Sequence, residues 1–261
     1  MTHNLSQYNG DPVENHFKNQ IDFVAWWEFR EKIRAGINVD LIKHYDRAQI
    51  KNDLKYEFTT FGRANYTIYN SIASAYINIQ AIKNLQSADM LYTFQLKKLI
   101  SETYYHFRVS LDNISRIIYV LYFNGSVKKK DIDSIDYGRL KGYLNNKVVT
   151  FSINEPPIID EINELRHHLT HYWNTMQIIR NNGVFWPDIM RKKRGFIWWY
   201  EGDLIGMDNN YNRTDNSDFN LNVVMMVEND FEEIKKYLSV IYSKCANQID
   251  KWLEKNNLTF Q

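Results

Sequence analysis

The stretch LYTFQLKKLISETYYHFRVSLDNISRIIYVLYF, residues 91–123, decides the fold. Leu96, Leu99, Ile100, Phe107, Leu111, Ile114, Ile117, Ile118 and Leu121 recur at helical spacing and fall on one stripe of a long amphipathic helix. Asn124-Gly125-Ser126 follows and ends it, because glycine readily takes the left-handed conformation that closes a helix. Working outward, residues 66–85 show the same period at Tyr66, Tyr69, Ile72, Ala73, Tyr76, Ile79, Ile82 and Leu85. A third amphipathic stretch runs from Ile158 to Ile179, and a fourth from Asp230 to about Glu254. For the fourth, Asn229 or Asp230 is the expected N-cap, with Glu232 and Glu233 in the first turn, where the helix dipole favours acids.

Four long amphipathic helices predict a bundle, so the expected fold is mainly all-α, with four to six helices in a single domain over 1–261. Residues 1–60 read as an N-terminal helical extension in pieces, with Gly36 as a break. The bundle core is expected over 65–180 and its last helix over 229–256. A short helix is expected around Leu140, and an extended run from Val148 to Ile153. Between Gly183 and Val227, the run Gly195 to Asp203 followed by Phe219 to Val227 predicts a small β-hairpin appendage.

Composition narrows the function classes. The 261 residues are 44% hydrophobic, 15% aromatic and 24% charged, which is too apolar and too balanced in charge for a disordered chain. No window of 18 uninterrupted apolar residues occurs, so no membrane-spanning helix is expected. The first residues lack a basic segment followed by an apolar one, so no secretory signal is expected, and the expected compartment is the cytoplasm. The single Cys245 excludes a disulfide framework, and its place on the stripe of Leu238, Ile241 and Ile249 predicts a buried, inert thiol. A formal net charge of +1 leaves any nucleic acid to be held by local basic clusters, Lys128-Lys129-Lys130 or Arg191-Lys192-Lys193-Arg194. The adjacent pairs Trp26-Trp27 and Trp198-Trp199 predict an apolar contact surface, since neighbours cannot share one face of a helix or strand.

The third helical stretch carries Glu164-Leu165-Arg166-His167-His168-Leu169-Thr170-His171-Tyr172-Trp173. Measured from the stripe of Ile158, Ile162, Leu165, Leu169, Tyr172, Met176 and Ile179, Arg166 lies about 90° away, His171 about 130° away on the other side, and His167 almost opposite. Arg166, His167, Thr170, His171 and Asn174 therefore avoid the core stripe, whereas His168 sits at its edge as a packing residue. Such a polar face is either a plain solvated surface or a phosphoryl site. Arginine offers a permanently charged fork that matches phosphate geometry. Histidine, with an unperturbed pKa near 6.5, exchanges a proton close to neutral pH. Together they suffice for metal-free RNA cleavage by internal attack of a 2′-hydroxyl.

Arg166-His167-x3-His171 resembles the R-x4-6-H motif of the HEPN superfamily (higher eukaryotes and prokaryotes nucleotide-binding domains), in which Asn, Asp or His often follows the arginine. The resemblance covers residues 65–180 and implies a HEPN-like helical bundle. It implies a homodimer whose two motifs share a composite active site. It also implies a metal-independent endoribonuclease, without cofactor or metal, that leaves a 2′,3′-cyclic phosphate and works in toxin or phage-defence systems, where a protein antitoxin or regulator is a further partner. Carried over, Arg166 contacts the scissile phosphate, His171 is the general acid/base, and His167 orients groups or binds the phosphate. Glu102 and Asp112, on the preceding long helix, are candidates to orient the histidine, with solvated or capping roles as the plainer alternative. Thr170 and Asn174 support the site, and Arg191, Lys192, Lys193 and Arg194 contact RNA. The chain departs from one toxin subgroup, which has Tyr two residues after the motif histidine, whereas Trp173 stands there.

Two other readings compete. His167 and His171, one turn apart, suit a metal, with His106 from another helix as a third ligand. His168 occupies the position that a metalloprotease motif gives to glutamate, so that subclass does not fit. Alternatively the bundle is a non-catalytic interaction or RNA-binding module, in which the basic-aromatic run Arg191 to Tyr200 stacks bases or guards an edge strand.

Overall fold

The computed structural model describes residues 23–43, 55–85, 92–123, 129–146, 151, 154–160, 162, 177–179, 183–185, 198–200, 203–206 and 216–255. Six helices organise them: α1 (Val24–Lys43), α2 (Lys55–Lys83), α3 (Tyr92–Tyr122), α4 (Lys129–Ser134), α5 (Tyr137–Asn146) and α6 (Asn216–Lys255). The protein is mainly all-α. Among the described residues no helix is long and apolar enough to cross a membrane.

Helix α3 is the centre. It packs most extensively along α2, and also against α4, α5 and α6. Contact on so many sides explains why the five successive residues Ile117, Ile118, Tyr119, Val120 and Leu121 are all buried, beyond the single stripe that periodicity predicts. Four of its buried polar side chains are satisfied within the helix. Thr103, Ser110 and Ser115 donate to the carbonyls of Leu99, His106 and Leu111 at 2.8, 3.0 and 2.7 Å, and Asn113 donates to Val109 at 2.8 Å.

Helix α1 belongs to the same core rather than forming an extension. Phe23, Trp26, Phe29 and Ile33 are buried, and Phe23 and Phe29 meet Tyr242 of α6 with ring centroids 5.6 and 5.3 Å apart. The buried Asn65 on α2 joins three helices. Its backbone carbonyl accepts the Trp26 indole N–H at 3.0 Å, and its side-chain carbonyl accepts the Tyr242 hydroxyl at 2.8 Å. The Trp26-Trp27 pair also resolves inward: Trp26 stacks on Tyr69 at 4.5 Å, Trp27 packs edge-on to the same ring, and the Arg30 guanidinium covers both indoles. Tyr66 departs from its expected stripe and is exposed, because α2 turns its Ile68, Tyr69 and Ile72 side to the core instead.

Several boundaries differ from expectation. Helix α1 continues through Gly36 to Lys43, a position where an interior glycine costs only about 1 kcal/mol. Helix α6 begins at Asn216, so Phe219 to Val227 are helical and form no strand. Asp230 then lies inside that helix, buried, and accepts the hydroxyl hydrogen of Tyr104 on α3, a role quite different from an N-cap. Gln177–Ile179 is a short strand (β1) paired antiparallel with Gly183–Phe185 (β2), so no helix reaches Ile179. Trp198–Tyr200 (β3) pairs with Asp203–Gly206 (β4), its register shifting between Trp198 and Trp199. Most of Val148 to Ile153 lies outside the described residues, but Phe151 is buried with its ring 4.8 Å from that of Tyr122.

Candidate functional site

The described segment nearest in sequence to Glu164–Trp173, residues 154–160, is held by α5. Asp136 caps this helix, its side chain accepting the Arg139 N–H at 2.8 Å, as an N-cap aspartate does. The N–H of Tyr137, which a helix leaves without an internal partner, donates at 3.0 Å to Asp112 on α3. The preceding turn is fixed as well: Arg116 donates to the carbonyl of Ile135 at 3.2 Å, and Arg139 to that of Ser134 at 2.6 Å. Helix α5 is thus held against α3 by side chains that satisfy its first turn.

From α5, Tyr137 and Lys141 project one turn apart and grip the segment 154–160. The Tyr137 hydroxyl donates to Glu155 Oε1 at 2.6 Å. A hydroxyl has a single proton to give, so Tyr237 of α6 donates the second, short hydrogen bond to the Tyr137 oxygen. The Lys141 ammonium pairs with the other Glu155 oxygen and reaches Asp160 at 3.5 Å. The segment turns helical at 157, where Pro157 suits a first turn, and the Ile159 N–H donates to the Pro156 carbonyl at 3.0 Å. Ile158, Ile159 and Ile162 are all buried in the bundle core.

Electrostatics fix the protonation of the two tyrosines. Burial, followed by the neighbouring Tyr237 and then Glu155, raises the Tyr137 hydroxyl far above its ordinary range. Burial pushes Tyr237 up to about 12. Both hydroxyls are therefore neutral donors at physiological pH, suited to holding geometry and not to transferring a proton.

The expected site residues fall as follows. Arg166, His167, Thr170, His171 and Asn174, together with Arg191, Lys192, Lys193 and Arg194, lie outside the described residues. Asp112 is engaged on α3: Arg108, itself buried, meets it through Nη2 at 2.9 Å and Nε at 3.2 Å, and Asp112 also receives the Tyr137 N–H. Glu102 sits at the surface of α3, 3.8 Å from Lys98, and its charge acts on His106 one turn away. His106 is half-buried beside Tyr105, and burial lowers its pKa more than Glu102 raises it. Among the described residues no group of three His, Cys, Asp or Glu side chains is placed to hold a metal. Cys245 is buried, and burial pushes its thiol well above the usual range. Tyr137, Lys141, Glu155 and Tyr237 escape a reading of the sequence, since Glu155 and Tyr237 are 18 and 100 positions from Tyr137 and no local pattern joins them.

No family model matches the chain, and neither the curated proteins nor the solved structures give a match.

Proposed function

We propose that this protein is a HEPN-like, metal-independent endoribonuclease that acts as a cytoplasmic homodimer in toxin or phage defence. The observation that carries the reading is the sequence Arg166-His167-x3-His171, four residues beyond Ile162 in a mainly all-α chain. In this reading Arg166 binds the scissile phosphate, and His171 removes the 2′-hydroxyl proton. The resulting oxygen attacks phosphorus, the bond to the 5′-oxygen breaks, and that oxygen takes a proton from a second imidazole. The products are a 2′,3′-cyclic phosphate and a free 5′-hydroxyl, with no redox change and no metal. His171 and its symmetry mate supply base and acid, while Arg166 offsets the charge gathering on the phosphate. Arg191, Lys192, Lys193 and Arg194 bind flanking RNA backbone, and a protein antitoxin or regulator holds the cleft inactive until it is needed.

The test is cleavage of RNA in EDTA by the wild type beside Arg166→Ala and His171→Ala. Each variant is expected to lose about a hundredfold to ten-thousandfold in rate, and the wild-type fragments are expected to end in 2′,3′-cyclic phosphate. Equal cleavage by all three proteins sinks the assignment. If none of them cleaves, a non-catalytic HEPN-like scaffold or RNA-binding module replaces it.

A further inference from the structure

We draw no further inference here: the strongest candidate, the exposed face of α5 at Gly138 and Gly142, is a stripe of small residues beside Arg139 and Tyr143, and nothing among the described residues shows what covers it.

Discussion

Arg108 and Asp112, one turn apart on α3, meet through two guanidinium nitrogens inside the bundle, and the same carboxylate holds the first backbone N–H of α5. One aspartate thus neutralises a buried cation and fastens a second helix. Removing one partner of such a pair leaves an uncompensated charge, at a cost of about 3–5 kcal/mol. Asp112→Ala is expected to destabilise by that order in urea unfolding. Asp112→Asn, which still accepts from Tyr137, is expected to lose less. Equal stability of Asp112→Ala and wild type contradicts this account.

Asn65 and Tyr242 are expected to be coupled. Truncating Asn65 to Ala orphans the buried Tyr242 hydroxyl, which costs about 1–3 kcal/mol. Tyr242→Phe removes that donor, so the double variant is expected to be more stable than the sum of the two single losses. A double-mutant cycle by chemical denaturation measures the coupling, and strict additivity refutes it.

Alkaline pH is expected to unfold the protein through its tyrosines. Tyr237 is raised to about 12, and Tyr137 higher still, whereas both ionise near 10 in the unfolded chain. Their contribution is therefore fully present below pH 10. As the pH climbs from 10 towards 12, the unfolded state releases protons that the folded state keeps. Stability then falls by up to about 1.4 kcal/mol per pH unit for each such group. Denaturation between pH 8.5 and 11.5 is expected to show a shallower decline in Tyr237→Phe, and an identical slope in that variant denies the linkage.

Cys245 is expected to resist maleimide in the folded protein and to react fully in denaturant. It is 0% exposed, and its raised pKa leaves almost no thiolate at neutral pH. Rapid labelling of the native protein shows that α6 is not seated in the core along its Leu238, Ile241 and Cys245 side.

How much is legible in the sequence depends on which signals are local. The stripe of α3 is legible from Leu96 to Leu121, because most of those residues face the core at helical spacing. The start of α6 is not, because Val223, Val224 and Val227 resemble an extended run. The buried series Val227, Phe231, Ile234, Leu238, Ile241 and Cys245 shows the helical period that prevails there. Gly36 misleads in the same way, since a punctuating residue is only a weak obstacle inside a packed helix. At the candidate site, Arg166 and His171 are legible as a motif alone. The Tyr137–Glu155–Lys141 grip is invisible in the sequence, because it exists only once α5 is docked beside 154–160.

The meeting of α1 with α6 carries a consequence for biosynthesis. Phe23 and Phe29 are synthesised more than 200 residues before Tyr242, against which both rings pack. At about 5–20 residues per second, a nascent chain carries these aromatic side chains without their native cover for roughly 10–50 s. Helix α1 therefore completes these contacts only after this part of α6 has been made.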